Sequence, residues 1–266
     1  MEQHGMEHFH MIQDAVIVLV VILILGYLMA MRVSNRKFKK WPRRRLFLWV
    51  LGLLTAASAF AGPLGNSAHE NFIAHMYGHL LLGMLAPIFL VYSKPMTLML
   101  RALPTSDARL VSRALNSAYG KFITNPFVAS LLNIGGLYLI YMTDLYVWMH
   151  ESMLIFIIVH LHVFLAGYLF TISLIYVDVT SHRYAYWYRA LALIAALGFH
   201  KALSKLIYQS PPPTVPTAEG RTGAMVMYYG GDIVDLILII ILCYHWYRKE
   251  TPETDVENKN TRMAKT

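Results

Sequence analysis

Seven apolar segments, each long enough to cross a lipid bilayer, constrain the fold of this chain more than any other feature. They cover approximately residues 13–31, 46–62, 71–92, 126–146, 151–177, 185–208 and 224–247, and a bilayer needs roughly 20 apolar helical residues per span. Hydrophobic residues make up 57% of the chain and charged residues 14%, whereas a soluble globular protein is less apolar and more charged. We therefore predict an all-α, polytopic membrane protein with seven transmembrane helices.

Basic residues concentrate in alternate connections between these segments. Two of the connections carry Arg32, Arg36, Lys37, Lys39, Lys40, Arg43, Arg44 and Arg45, and then Lys94, Arg101, Arg109, Arg113 and Lys121. Because cytoplasmic connections are enriched in Lys and Arg, we predict that the N-terminus lies outside and the C-terminus in the cytoplasm. The net charge of +8 then fits anionic lipid headgroups. We expect the lipid bilayer, and no nucleic acid, as a partner.

This orientation divides the chain into three predicted parts. Residues 1–12 form an extracytoplasmic tail rich in His and Met, residues 13–247 form the membrane domain, and residues 248–266 form a cytoplasmic polar tail. The connection 93–125 mixes leucines with arginines, which is typical of a helix that lies at the membrane surface. The run from Tyr184 to Tyr188 is typical of an aromatic belt at the inner interface.

Histidines recur at one depth in the outer half of the predicted membrane domain. His75 and His79 are four residues apart and so share one face of a helix. A rise of 1.5 Å per residue places His79, His160 and His200 each about 10–13 Å below the outer surface. A polar side chain at this depth is costly unless it is used. The alternative is structural, because paired histidines can also form hydrogen bonds between helices.

The histidine layer predicts a metal site. We expect His75, His79, His160 and His200 as ligands. Side chains that can support these ligands are Met76, Met153, His162, Asp232, Asp235 and Lys201. Asp232 and Lys201 can equally form a structural ion pair. Side chains that can capture an ion first are His4, Met6, His8, His10, His69 and His150. Imidazole and thioether groups without a cysteine cluster favour copper and leave zinc open, while two histidines at one depth could also ligate a haem.

The third segment contains a proline and two glycines that affect its shape. Pro87 removes a helix hydrogen bond and crowds the carbonyl of Gly83, which predicts a kink just below the histidine pair. Gly78 and Gly83 allow a neighbouring helix to approach closely.

The segment His75-Met76-Tyr77-Gly78-His79, continued by Leu85-Ala86-Pro87 and Ser93-Lys94-Pro95, resembles the third helix of the CtaG family of cytochrome c oxidase assembly factors from Gram-positive bacteria. His160-Leu161-His162, His200 and Gly230-Gly231-Asp232 are similar to marked positions in later helices of that family. The resemblance implies a seven-helix protein of the bacterial plasma membrane that helps to mature the oxidase, usually interpreted as delivery of copper. Its partners would be oxidase subunits or other copper chaperones. Where relatives have glutamine after the aspartate, this chain has Ile233.

The sequence therefore predicts a copper-binding assembly factor for a haem-copper cytochrome c oxidase. Its mechanism would be ligand exchange without bond-making catalysis, so we expect no enzyme. Two alternatives stay open at this point. One is an intramembrane zinc hydrolase, which needs about three protein ligands, an open position for water and a carboxylate base. The other is a haem-binding redox protein of the membrane.

Overall fold

The computed structural model describes the backbone of residues 2–180 and 182–263, and the side chains of residues 11–68, 71–180 and 182–248. Every regular element in these ranges is helical. The elements are α1 (Glu2–Lys37), α2 (Arg43–Ala57), α3 (Gly62–Glu70), α4 (Phe72–His79), a π-helical turn (Leu80–Leu85), α5 (Ala86–Ser93), α6 (Pro95–Ala102), α7 (Thr105–Leu115), α8 (Ala118–Ile123), α9 (Pro126–Met142), α10 (Leu145–Glu151), α11 (Met153–Leu174), α12 (Tyr186–Gln209) and α13 (Thr217–Met263).

Within the described residues, six helical segments are long and apolar enough to cross a membrane. They are Met11–Lys37, Arg43–Ala68, Phe72–Ala102, Met153–Leu174, Tyr186–Gln209 and Thr217–Arg248. A seventh span arises if α9 and α10 are taken together, although they meet at an angle of 77°. The prediction of an all-α, multi-pass membrane protein is confirmed. The orientation of the termini and the division into tails and membrane domain stay predictions.

Asparagine side chains cap the N-termini of two helices in the centre of the bundle. Asn71 Oδ1 accepts hydrogen bonds from the backbone N–H groups of Ile73 (2.8 Å) and Ala74 (3.2 Å) at the start of α4. Asn125 Oδ1 accepts one from Phe127 N–H (3.0 Å) at the start of α9, where Pro126 follows directly. Such a cap satisfies N–H groups that have no partner within the helix. The cap of α4 thereby fixes the register of the histidines that follow.

The third span passes Pro87 by a local change of helix type. The turn Leu80–Leu85 is π-helical, and the N–H of Ala86 bonds to the carbonyl of Leu81. A wider turn makes room for a proline ring that would otherwise clash with the carbonyl four residues earlier. The carbonyl oxygen of Gly83 faces α11 at Gly167, where an added Cβ atom would lie only 1.9 Å from it. Helix α11 therefore packs directly on the π-helical turn.

The core of the bundle lies between α4, α9, α11, α12 and α13, and α1 stands outside it. Only 6% of the apolar stretch of α1 is buried. Hydrogen bonds near Tyr27 attach this helix to the rest of the bundle. Tyr27 Oη donates to the carbonyl of Ser93 (2.7 Å), and Trp41 Nε1 donates to Tyr27 Oη (2.9 Å). The connection predicted to lie at the membrane surface holds the short helices α7 and α8. The histidines are therefore positioned by the central helices and not by α1.

Candidate metal centre

The two histidines of α4 are both buried inside the bundle. His75 is 8% exposed and His79 is 7% exposed. They lie one helical turn apart, and the cap at Asn71 and the π-helical turn hold the two ends of α4. Each histidine meets residues of different helices. His75 faces α9, α10 and α11, whereas His79 also faces α12.

The first cavity of the site is lined by four histidines, His75, His79, His150 and His160. The ring centre of His75 lies 6.1 Å from that of His160 and 6.4 Å from that of His150. The cavity has a volume of about 30 Å³. This is room for a water molecule or a single ion. The cavity thus brings together two of the predicted ligands from α4, one from α11, and His150, which was predicted only to capture an ion.

Backbone carbonyl groups orient the rings of two histidines in this cavity. His160 Nδ1 lies 2.9 Å from the carbonyl oxygen of Phe156, and His150 Nδ1 lies 2.8 Å from that of Tyr146. A carbonyl only accepts hydrogen bonds, so Nδ1 of a neutral His160 carries the proton and Nε2 carries the lone pair. A hydrogen bond of this kind is the usual support of a metal-binding histidine. Across the cavity, His75 Nε2 lies 3.1 Å from Tyr141 Oη.

The second cavity is smaller and lies one turn further along the bundle. His79, His200 and Asp235 line it together with Asn133 of α9. The ring centres of His79 and His200 are 6.2 Å apart, and the cavity measures about 10 Å³. His79 belongs to both cavities and so connects them.

Buried polar atoms without hydrogen-bond partners surround the second cavity. They are His79 Nδ1, His79 Nε2, His200 Nε2 and Asp235 Oδ2. A buried polar group without a partner costs roughly 1–3 kcal/mol, so this concentration needs an explanation. A bound cation supplies one, because imidazole nitrogens and a carboxylate oxygen are all metal ligands. These side chains are therefore of the chemical types that bind metal ions.

Glycines allow the neighbouring helices to approach the histidines. A Cβ atom at Gly231 of α13 would lie 2.7 Å from Cε1 of His200, and one at Gly83 would lie 3.6 Å from Cε1 of His79. A larger residue at Gly231 would displace the His200 ring. Gly231, directly before Asp232, thus has a steric role beside the His200 ring.

The remaining predicted residues lie elsewhere. Lys201 Nζ and Asp232 Oδ1 are 2.8 Å apart, so these two form an ion pair outside both cavities, and Asp235 is the aspartate that lines one. His162 Nε2 lies 3.1 Å from the carbonyl oxygen of Leu132, which directs this ring toward α9.

Two methionines and the capture residues complete the set. Met76 is fully buried and packs near Gly223, whereas Met153 is 38% exposed. Neither lines the first or the second cavity. Residues whose side chains lie outside the described ranges are His4, Met6, His8, His10 and His69.

Sequence reasoning did not identify Tyr141, Asn133 or Phe156 as parts of the site. Tyr141 and Asn133 lie on α9, which carries no histidine and so gave no signal by itself. Phe156 contributes its backbone carbonyl. Every residue has such a group, so the residue type does not indicate this role. The spacing of four between Phe156 and His160 is compatible with such a bond in any helix.

The separations within the site define histidine pairs. Two imidazoles that bind one ion from opposite sides have ring centres about 6.4 Å apart, since each metal–nitrogen bond is about 2.0 Å and the nitrogen lies about 1.2 Å from the ring centre. The ring-centre separations of His75–His160 (6.1 Å), His75–His150 (6.4 Å) and His79–His200 (6.2 Å) are close to this value. Among the described side chains, no three or more His, Cys, Asp or Glu residues form a group that could hold a metal ion.

Comparison with known proteins places most of the chain in one family. Residues 25–249 match the family described as cytochrome c oxidase caa3 assembly factor (Caa3_CtaG). This range includes α2 to α12 and every residue that lines the two cavities. No solved structure matches the chain.

Similar proteins occur in mycobacteria. The chain is 33% identical over 269 aligned positions to uncharacterized proteins of Mycobacterium bovis and Mycobacterium tuberculosis, which covers 90% of this chain and 40% of each relative. It is 26% identical over 257 positions to an uncharacterized protein of Mycobacterium leprae, covering 86% of this chain and 38% of that relative. The chain therefore spans about two fifths of the length of these relatives.

Proposed function

The chain belongs to the family of cytochrome c oxidase caa3 assembly factors, and we propose that it assists assembly by binding copper at its paired intramembrane histidines and passing the ion to a haem-copper cytochrome c oxidase. Copper is here the cargo of the protein. Its partners would be oxidase subunits or another copper chaperone.

The observation that carries this proposal is the environment of His79. This side chain is 7% exposed, neither ring nitrogen has a hydrogen-bond partner, and it lines both cavities. A histidine kept only for packing would normally satisfy at least one ring nitrogen. A metal ion would satisfy it from either cavity. Cavities of about 30 and 10 Å³ also suit an ion better than a haem.

The chemistry of the ligands favours copper among the metals. Imidazole binds copper and zinc well, but structural zinc takes four protein ligands and catalytic zinc three. Cu(I) is a d¹⁰ ion that accepts two ligands in a nearly linear arrangement. The ring-centre separations of His75–His160 and His79–His200, 6.1 and 6.2 Å, are compatible with such an arrangement.

Transfer would proceed by exchange of ligands between neighbouring pairs. His75 and His79 lie one turn apart on α4, and His79 is shared between the two cavities. An ion released by His75 and His160 would therefore have His79, in the wall of the same cavity, as its next ligand. Asp235 would offset the positive charge of an ion in the second cavity. Only metal–ligand bonds are made and broken, so no catalytic residue is needed.

The test is the metal content of the full chain purified in mild detergent from copper-supplemented cells. We expect at least one copper ion per wild-type chain by elemental analysis and a marked loss in His79→Ala. The matched control is His162→Ala, which removes a histidine of α11 that points to α9 and should keep the copper. In cells that lack the native gene, wild-type and His162→Ala should restore oxidase activity, and His79→Ala should not.

Three outcomes would contradict the proposal. Stoichiometric copper in a folded His79→Ala variant would remove the site assignment. Zinc alone, together with hydrolytic activity, would favour an intramembrane hydrolase. A Soret band in the optical spectrum of the purified protein would favour a haem protein.

A further inference from the structure

A larger cavity lies at the other end of the bundle from the histidines, where α5, α12 and α13 converge. It measures about 470 Å³. Its lining includes four cationic side chains and no acidic one: Lys94, Arg183, Arg189 and Arg248. Tyrosines and His245 complete the polar part of its wall. We propose that this cavity binds the phosphate group of an anionic ligand at the level of the lipid headgroups.

Arg189 is the central residue of this basic cavity. Its side chain is 2% exposed, and its guanidinium lies 4.2 Å from the ring centres of both Tyr176 and Tyr186. Nη1 donates a hydrogen bond to the carbonyl of Leu174 (2.6 Å). Nε is buried and has no partner. The two tyrosine rings thus hold the guanidinium in place, while its Nε–H group is left without an acceptor.

Among the described side chains, no carboxylate forms an ion pair with Arg189. The ion pair observed there joins Lys201 and Asp232. Asp178, the acidic residue next to this region in sequence, is engaged elsewhere. Its two oxygens accept hydrogen bonds from the backbone N–H groups of Met96 (2.9 Å) and Thr97 (2.9 Å) and from the hydroxyl of Thr97. A buried charge is costly unless it is paired. An anion from outside the chain would pair it.

Lys94 reaches the same cavity through an unusual backbone conformation. It has φ 56° and ψ 56°, which is the left-handed region, and a non-glycine residue there costs roughly 1–2 kcal/mol. This conformation joins α5 to α6 and places Lys94 at the wall of the cavity. Strained residues of this kind often occur at ligand sites.

The types of cationic side chain in this wall favour phosphate as the ligand. Guanidinium groups present several N–H donors in a plane and bind phosphate oxygens with charge-assisted hydrogen bonds. The cavity lies beside Tyr184 and Tyr186 of the predicted interfacial belt, at the end of the bundle predicted to be cytoplasmic. Basic pockets between membrane helices on that side are suited to phospholipid headgroups. A soluble phosphate would meet the same donors.

The test compares two ligands that differ only in the phosphoglycerol group. The full chain in mild detergent is titrated with dioctanoyl phosphatidylglycerol or with dioctanoylglycerol, and separately with sodium phosphate, while bound ligand is counted by native mass spectrometry. We expect saturable binding of the phosphatidylglycerol and little of the uncharged lipid. Because Arg189 is packed between two rings, the variant is Arg183→Ala with Arg248→Ala, two exposed residues. This variant should bind about tenfold more weakly or worse.

The matched control is Arg113→Ala, an exposed arginine of α7 outside the cavity, which should bind like wild type. If sodium phosphate displaces phosphatidylglycerol and its own binding is lost in the double variant, the site accepts phosphate from either source. If sodium phosphate does not compete, the source is a lipid. Equal binding by wild-type and double-variant protein, or equal binding of both dioctanoyl lipids, overturns the proposal.

Discussion

The contact between Gly167 of α11 and the carbonyl of Gly83 makes Gly167→Ala a sharp test of the packing. A Cβ atom at position 167 would lie 1.9 Å from the Gly83 oxygen and 2.9 Å from its carbonyl carbon. An ordinary carbon–oxygen contact is about 3.3 Å, so α11 would have to move away by about 1.4 Å. The contacting atoms belong to backbone and cannot rotate away. Overpacking of this kind typically costs about 1–3 kcal/mol.

The same displacement would reach the histidines. Gly167 and His160 are seven residues apart and so lie on one stripe of α11. If α11 moves as a rigid helix by about 1.4 Å, the His75–His160 separation would grow from 6.1 Å to about 7.5 Å, beyond the roughly 6.4 Å that one ion can bridge. We therefore expect Gly167→Ala to unfold at a lower temperature and also to lose copper from the first cavity.

The assay is thermal unfolding in mild detergent, combined with the copper content of the same preparation. The matched control is Gly198→Ala in α12, where an added Cβ atom would meet nothing within 4 Å. Alanine is favoured over glycine in a helix by up to about 1 kcal/mol, so this control should be as stable as wild type or slightly more stable. If Gly167→Ala unfolds no lower than Gly198→Ala, the close packing of α11 on the π-helical turn is wrong.

Three further substitutions test individual contacts. Tyr141→Phe removes the hydroxyl 3.1 Å from His75 and should weaken copper binding about three- to tenfold in a competition titration, with unchanged helix content by circular dichroism. Asn71→Ala removes the cap of α4 and should lower the free energy of unfolding by about 1 kcal/mol; no change in a denaturant titration would contradict the cap. Asp235→Asn keeps the shape beside His200 but removes a carboxylate with an unpaired oxygen. It should therefore leave the unfolding temperature unchanged or raise it, while copper retention, measured by dialysis against a chelator, falls about tenfold or more.

The sequence predicted the spans because hydropathy and length suffice to locate helices in a membrane. It did not predict the bend between α9 and α10, where one segment of about 126–146 was expected. The helix stops at Met142 and resumes at Leu145 at an angle of 77°. Hydropathy averages over a window and does not register a change of direction across two residues. The bend depends on how α10 packs, through Tyr146 and Met149, against the rest of the bundle.

The depth of the histidines was predictable, whereas their pairing was not. A fixed rise per residue sets depth from the sequence alone. Which histidines face each other depends on the rotation of each helix about its own axis. A small rotation is enough to change the partner. Asp232 and Asp235 lie on similar faces of α13. In the structure, however, Asp232 forms an ion pair with Lys201, whereas Asp235 lines the second cavity with His79 and His200.

The basic cavity was not predicted, because the aromatic residues beside it have a simpler interpretation in the sequence. Aromatic residues near the start of α12 are typical of an interfacial belt, and some of them have this simpler role. Tyr184 and Tyr188 stack 5.1 Å apart and both meet Asn125. Tyr186, in contrast, forms one side of the clamp around Arg189. That role needs Tyr176 from a different part of the chain, which no local pattern connects to it.

The bend between α9 and α10 gives the first cavity a wall segment that is a separate short helix. On the proposed function the histidines would determine how tightly an ion is held. Helix α10 contributes Met149 and His150 to the wall of that cavity and is joined to its neighbours by very short connections. An ion entering from that end has to pass this seven-residue element. Substitutions in α10 other than at His150 should therefore change the half-time of metal exchange more than the dissociation constant. On the proposed function, slow exchange would let the protein retain copper at modest affinity until α10 moves.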